Sequence, residues 1–279
     1  MSDNWIVGAL QNAFDIWNDK LTEICSLLTT TPQDFRGGGI WDVMVDINDG
    51  LKAVGYGLLV LFFAVGIFSA TANFRELQRP ENALKFFIRF VAAKTAVSYC
   101  MDLMTAIFTV CGGIVQSVMG HVGGMAGASV TLPEEIVTAI EEVGFLQSIP
   151  LWLVSLLGSL FITVMSFLLI MTVYGRFFKI YLYTALAPIP LSTFAAETTA
   201  GTGKAFVKGY IGMCMEGAVI VLACLIFSAF SESGGPTVDA GADVVTMAWD
   251  YIASTIFNML ILVGLVKGAD RVVKEMFGL

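Results

Sequence analysis

Two carboxylates and one amide lie inside long apolar stretches of the sequence. Asp102 and Glu216 are each about two turns from one end of such a stretch, and Asn258 lies within a third. A charge at membrane depth is costly, so such a residue usually faces a bundle interior or a wet cavity, where it can couple ion movement to transport. The alternative is that protonation or a snorkelling lysine neutralises each acid, which then holds helices together.

The patterns that most enzymes need do not occur. The five cysteines form no Cys-x-x-Cys pair, and one histidine, His121, cannot supply a zinc motif. The run Gly201–Lys204 lacks the glycine at position 198 and the hydroxyl at position 205 of a phosphate-binding loop. We therefore predict no catalytic residue, no metal site and no cofactor, and we do not expect the chain to be an enzyme.

The composition indicates that much of the chain is surrounded by a medium other than water. Of 279 residues, 57% are hydrophobic and 14% are charged, whereas soluble domains carry ~25% charged residues. Neither lysine nor arginine occurs between Lys94 and Arg176. The sequence therefore predicts an all-α membrane protein, because a helix satisfies its own backbone groups in lipid.

Five stretches approach the ~20 apolar residues that a membrane-spanning helix requires. The predicted spans are 53–72, 95–118, 149–173, 209–230 and 246–266. A sixth apolar run at 180–196 is short and contains Pro188 and Pro190, each of which removes a backbone donor and breaks a helix. We interpret this run as an elbow that is re-entrant or interfacial.

The distribution of basic residues predicts the orientation. With five spans and the N-terminus outside, twelve of the fifteen lysines and arginines are cytoplasmic and three are outside. If 180–196 also crossed, seven would be inside and eight outside. The positive-inside rule favours the first arrangement. We therefore predict an N-out, C-in topology with the elbow on the cytoplasmic side.

The sequence before the first span differs in character from the rest. We predict an outer segment at 1–52 and a transmembrane bundle at 53–279. Within the outer segment, apolar residues recur at spacings of three and four, which is typical of an amphipathic helix. They are Ile6, Leu10, Ala13, Trp17, Leu21, Ile24 and Leu28. Such a helix would lie on the outer leaflet or dock on a neighbouring subunit.

The backbone carbonyls of the elbow need hydrogen-bond donors from outside their own helix. Its prolines free carbonyls at 184–187, and lipid offers them no donor, so protein or water must provide one. Small residues along the elbow permit close approach of another helix. They are Ala185, Ala187, Ala195 and Ala196. We expect subunits of a homo-oligomer to meet partly through 176–205.

An ordered series of features runs from span three through the elbow. It comprises an arginine near a helix end at Arg176, an Ala-Leu-Ala-Pro segment ending at Pro188, a second proline at Pro190, a polar turn and a new apolar helix after Lys208. This series resembles the TrbL family, the polytopic inner-membrane subunits of type IV secretion and conjugation machines. The resemblance covers about residues 165–230. The central loop is short and we expect no cleaved signal peptide, and both features are similar to those of the smaller members from single-membrane bacterial conjugative elements.

The resemblance implies a non-enzymatic channel or platform subunit in the bacterial cytoplasmic membrane, driven by ATPases on other chains. Its partners would be lipid, copies of itself, other secretion-system subunits and, transiently, translocated nucleic acid or protein. Two other classes stay open: an autonomous secondary transporter or ion channel that uses Asp102 and Glu216, and a pure assembly scaffold. A secondary transporter usually has paired broken helices, and the sequence shows one broken segment.

Overall fold

The computed structural model describes residues 5–71, 80–120, 129–142, 145–234 and 243–279, and its regular structure there is helical, which confirms the all-α prediction. The described α-helices are α1 (Trp5–Thr29), α2 (Gly39–Thr71), α3 (Pro80–Ser98), α4 (Cys100–Gly120), α5 (Glu134–Glu141), α6 (Phe145–Leu186), α7 (Pro188–Ser192), α8 (Ala200–Gly234) and α9 (Val244–Phe277). Short 3-10 turns lie at Phe35–Gly37 and Thr193–Ala195.

Within these described ranges, five helices are long and apolar enough to cross a membrane, as predicted. The corresponding segments are Gly39–Ser69, Cys100–Gly120, Ile149–Leu186, Ala200–Ser231 and Val244–Phe277. The helices extend beyond the predicted spans because amphipathic residues continue several of them. In particular, α2 begins at Gly39 and continues through residues 52 and 53, where the sequence suggested a boundary between the outer segment and the bundle.

The predicted second span, 95–118, includes the junction between two helices at Tyr99. Backbone bonding continues across it, since the Tyr99 amide donates to the Thr95 carbonyl at 2.9 Å and the Leu103 amide donates to the Tyr99 carbonyl at 3.0 Å. The apolar core of that span belongs to α4.

The chain forms two compact units. The first unit comprises 1–29, 115–175 and 218–269, and the second unit comprises 30–114, 176–217 and 270–279.

The amphipathic helix α1 belongs to the first unit, where it runs alongside α6. The Trp5 and Trp152 ring centroids are 6.0 Å apart, and the Tyr174 hydroxyl donates to the Glu23 carboxylate at 2.6 Å. All seven predicted apolar positions of α1 are buried. The helix prediction is therefore confirmed, but the expected location on the outer leaflet or on a neighbouring subunit is wrong, because the apolar face packs inside the chain.

In the second unit, α2 and α3 form an antiparallel pair. The Tyr56 and Ser98 hydroxyl oxygens are 2.9 Å apart, and the ring centroids of Phe63 and Phe90 are 4.6 Å apart. The short helix α7 and the following 3-10 turn pack against both helices. This arrangement places the elbow against the apolar part of α2. The candidate functional site lies at this contact.

Candidate functional site at the proline kink

The elbow is a kink rather than a complete break of the chain path. Helix α6 ends at Leu186, Ala187 keeps a right-handed helical conformation (φ −50°, ψ −38°), and α7 starts at Pro188. Proline has no amide hydrogen, so Pro188 cannot donate to the carbonyl four residues earlier, at Thr184. The Leu191 amide resumes helical bonding by donating to the Ala187 carbonyl at 3.1 Å. The Thr184 carbonyl keeps only a long backbone bond, from the Ala187 amide at 3.4 Å, and can accept a second donor from outside its own helix.

Asn48 of α2 supplies that donor. Its side-chain amide nitrogen donates to the Thr184 carbonyl at 2.7 Å. The side-chain oxygen of Asn48 accepts a bond from the Cys100 thiol at 3.0 Å. Asn48 is fully buried, so both ends of its amide are satisfied by protein. Sequence reasoning predicted that protein or water would satisfy the freed carbonyls but did not identify Asn48.

The kink lies so close to α2 that two positions on α2 have no room for a side chain. A Cβ atom added at Gly55 would lie 2.9 Å from the Pro188 carbonyl oxygen, and one at Gly66 would lie 3.0 Å from the Ala196 Cβ. Both glycines lie within the predicted first span. The elbow therefore packs against the apolar part of α2.

The small residues of the elbow serve this packing within the chain. Ala185, Ala187, Ala195 and Ala196 are all buried. Our expectation that they form the contact between neighbouring subunits is therefore wrong: the surface on which it rested is already covered by other residues of the chain.

Arg176 is buried in the second unit where α6 passes α8. Its Nε donates to the Met213 carbonyl at 3.4 Å and its Nη2 donates to the Cys214 carbonyl at 3.3 Å. The guanidinium carbon lies 5.9 Å from the Phe108 ring centroid and 5.8 Å from that of Phe177. These contacts combine carbonyl dipoles with cation–π attraction.

The charge of Arg176 is incompletely compensated. Among the described residues no carboxylate lies within ion-pairing distance of it, and its Nη1 has no hydrogen-bond partner. Gly217 makes the room, since a Cβ there would lie 2.7 Å from the guanidinium carbon. Arg176 therefore holds α6 against α8. Position 217 of α8 must be glycine, because a side chain there would clash with the guanidinium group.

Glu216 is buried beside a cluster of charged side chains. Lys179 Nζ lies 3.8 Å from the Glu216 carboxylate and 3.1 Å from that of Asp270. Lys274 Nζ also lies 2.8 Å from Asp270. One oxygen of Glu216 makes no hydrogen bond to the described residues. The lysine, which is 44% exposed, reaches inward to the acid, in keeping with the prediction of a snorkelling partner.

A small cavity of about 240 Å³ adjoins this cluster. Its lining includes Glu216, Lys179, Asp270 and Lys274 but not Asp102. Asp102 is exposed on the surface of α4. The structure therefore does not bring the two predicted acids into one cavity.

Asn258 belongs to the first unit. It is partly buried and lines another cavity of about 240 Å³ together with Trp17, Thr131 and Tyr251. The Tyr251 hydroxyl donates to the Thr131 carbonyl at 2.8 Å. Asn258 thus lies in a polar recess of its own unit.

Metal ligands do not cluster in the part of the chain that the structure describes. No group of three His, Cys, Asp or Glu side chains is placed to hold an ion there, and His121 lies outside the described residues. The arrangement of Asn48, Arg176 and Glu216 joins helices rather than activating a nucleophile or a water.

Together these features define a class of protein: a multi-pass helical membrane protein whose long third span is kinked at a proline and fixed by a buried asparagine and a buried arginine. A model of the family described as "TrbL/VirB6 plasmid conjugal transfer like protein" matches residues 17–188. The match covers more than half of the 279 residues, and the chain belongs to this family. A comparison with curated proteins and one with solved structures returned no match.

The matched range identifies which part of the site the family model covers. It includes Asn48, Arg176, Ala187 and Pro188, and it ends before Pro190. The predicted resemblance over 165–230 overlaps it from 165 to 188 only. The family assignment is confirmed, and it rests mainly on the first three spans.

Proposed function

We propose that the chain is a non-enzymatic subunit of a conjugative type IV secretion machine, and that several copies form a channel or platform in the bacterial cytoplasmic membrane. The family match supports a membrane subunit of conjugal transfer. The proposal that several copies assemble rests on two exposed helix faces that packing among the described residues does not explain.

The first such face lies on α4. Asp102, Ala106, Thr109 and Gly113 follow one another at spacings of four, three and four, which places them on one side of the helix. All four are exposed. Asp102 lies in the first turn of α4, and a carboxylate at this end of a span is better placed against protein or water than against lipid. We call these four residues the α4 face.

The second face lies on α2 and has the same kind of composition. Asp46, Gly50, Ala53 and Gly57 are exposed at spacings of four, three and four. We call them the α2 face. A Cβ added at Gly50, Gly57 or Gly113 would meet nothing within 4 Å. Glycine in a helix interior is unfavourable by about 1 kcal/mol relative to alanine, and no contact with the described residues accounts for these three glycines.

Contact between subunits accounts for both faces. Helices associate in membranes through small residues that let their backbones approach closely. Packed helices are only ~8–10 Å apart, which leaves little room for a conduit inside one bundle. Several copies around an axis enclose more space, and closed symmetry is the usual arrangement. The carboxylate of Asp102 would then face neighbouring protein or water instead of lipid.

Cross-linking tests the assembly. Gly57→Cys and Gly113→Cys variants, in a background without other cysteines, are expected to form disulfide-linked copies in donor-cell membranes. Val65→Cys and Ile114→Cys are matched controls, because these residues are exposed and lie about 80–100° around the same helices from Gly57 and Gly113. Equal cross-linking at all four positions, or none at any, would contradict the proposed interface.

A mating assay tests the function. Deletion of the gene from a donor strain should abolish transfer of the conjugative element, and the chain supplied in trans should restore it. Formaldehyde cross-linking during mating should then recover transferring DNA with the chain if it forms the channel. Restored transfer without recovered DNA would favour the platform role, and unchanged transfer after deletion would overturn both.

An autonomous transporter makes the opposite prediction. Purified chain in liposomes would then carry out ion-coupled uptake without any other subunit. The separation of Asp102 from the Glu216 cavity speaks against one shared coupling site.

A further inference from the structure

A wide groove lies in the second unit between α3 and the region where the elbow leads into α8. Its volume is about 990 Å³. Its charged part is lined by Lys85, Arg89, Glu197 and Lys204, and its apolar part by Ala92, Ala96 and Phe194. The groove therefore combines a charged part with an apolar part.

The charged part has an excess of positive charge. Lys85 and Arg89 are one helical turn apart on α3, and Lys204 faces them from α8. Glu197 is the lining carboxylate, and its oxygen lies 3.0 Å from Arg89 Nη1. Within the described part of the chain, Lys85 and Lys204 form no ion pair. Two ammonium groups are thus left to neutralise an anion.

The apolar part continues along the same groove. Ala92, Ala93 and Ala96 are small, so the α3 wall recedes there, and Phe194 contributes an aromatic ring. Ala92 is exposed and Ala96 and Phe194 are half-buried, so a soluble anion bound by the lysines would leave this apolar wall in water. An uncharged apolar segment would conversely leave the lysines without partners. The groove fits a molecule that carries both an anionic group and a hydrocarbon chain.

We propose that this groove binds an anionic phospholipid, with its phosphate between Lys85 and Lys204 and one acyl chain along Ala92, Ala96 and Phe194. Basic pockets between membrane helices on the cytoplasmic side are suited to acidic lipid headgroups. The predicted topology places Lys85 and Lys204 on that side. The lipid would fill the space between α3 and α8 and link the α2–α3 pair to the elbow.

Native mass spectrometry of the purified full chain in detergent tests the proposal. The probes are phosphatidylglycerol, phosphatidylcholine with the same acyl chains, and soluble glycerol 3-phosphate. We expect one phosphatidylglycerol to be retained in preference to phosphatidylcholine, and glycerol 3-phosphate neither to bind nor to displace it. Equal retention of both lipids, or displacement by glycerol 3-phosphate, would overturn the proposal.

Two variants separate the charged part from the apolar part. The double change Lys85→Gln/Lys204→Gln should weaken phosphatidylglycerol binding about 30-fold, as expected for two lysines near a lipid phosphate. The matched control Lys208→Gln/Lys267→Gln removes two exposed lysines outside the groove and should leave binding unchanged. Ala96→Trp should obstruct the acyl chain and weaken binding while both lysines remain. Wild-type retention in the first variant, or equal loss in the control, would show that the groove is not the site.

Discussion

The guanidinium carbon of Arg176 lies where a side chain at position 217 would stand, 2.7 Å from the Cβ that Gly217 lacks. Helix α6 therefore contacts α8 where the Arg176 side chain fills the space that a side chain at position 217 would occupy. Arg176 is buried and bonds to the Met213 and Cys214 carbonyls just before that glycine. It cannot move away from an added methyl group without losing those bonds.

Gly217→Ala should therefore destabilise the chain by about 1–3 kcal/mol, the range typical of overpacking. Thermal unfolding of purified protein in detergent, followed by circular dichroism, would measure the change. Gly175→Ala is the matched control, because a Cβ there meets nothing within 4 Å. An equal midpoint for the Gly217→Ala variant and the wild type would show that Arg176 is not confined as described.

Asn48→Ala should destabilise the chain by about 1–3 kcal/mol, because the buried Thr184 carbonyl loses the shorter of its two hydrogen bonds and the buried Cys100 thiol loses its acceptor. Pro188→Ala restores a backbone amide that can donate to the same carbonyl. The double variant Asn48→Ala/Pro188→Ala should therefore lose less stability than the sum of the two single changes. Additive losses in this double-mutant cycle would mean that Asn48 and the kink are not coupled.

Lys179→Met should destabilise the chain more than Glu216→Gln does. Removing the lysine leaves the buried Glu216 carboxylate without its cation, at a cost of about 2 kcal/mol, whereas removing the acid leaves a lysine that already reaches water. Denaturant unfolding of both variants would measure the difference. The double variant should recover part of the loss, and the reverse order of the single variants would contradict the pairing.

Asp102→Asn should leave the stability of the isolated chain within ±0.5 kcal/mol, as for most surface substitutions, and should reduce conjugal transfer. The reason is that Asp102 is exposed in the single chain and lies on the α4 face. Mating frequency and thermal unfolding are the two measurements. Glu275→Gln, at an exposed position near the end of α9, is the control and should transfer normally. Normal transfer by the Asp102→Asn variant would remove the acid from the proposed interface.

The topology prediction is tested by accessibility of single introduced cysteines. Positions 3 and 134 should react with an impermeant maleimide from outside, and positions 85, 204 and 274 should not; Asp3 lies outside the described residues. Cys25 is half-buried, and burial raises its thiol pKa, so it holds little reactive thiolate at neutral pH. Labelling of position 204 from outside would contradict the five-span topology.

The helices could be predicted from the sequence because their signals are local. The spacing of Ile6 through Leu28 predicts α1, and the length of each apolar run predicts a span. Asn48 could not be found in this way, because it lies in the polar run Asp-Ile-Asn-Asp-Gly and its partner is 136 residues further along. Nothing local to either residue indicates that contact.

The sequence also did not predict which residues of a span are buried and which are exposed. Asp102 and Glu216 have similar apolar neighbours in the sequence, yet one is exposed and the other is buried. A uniformly apolar helix gives no periodicity from which to assign its buried face. Arg176 was identified through resemblance to a family, whereas Gly217, which makes room for it, carries no motif.

The bond between Asn48 and Thr184 also bears on how the chain is made. The ribosome synthesises Asn48 136 residues before Thr184, an interval on the order of 10 s at typical elongation rates. The donor can therefore enter the membrane with α2 before the kinked end of α6 is made. A permuted gene that encoded α2 after α6 would leave the Thr184 carbonyl without this donor in hydrocarbon for a comparable time. The order of these two helices along the gene thus favours insertion of a span that is followed by a proline kink.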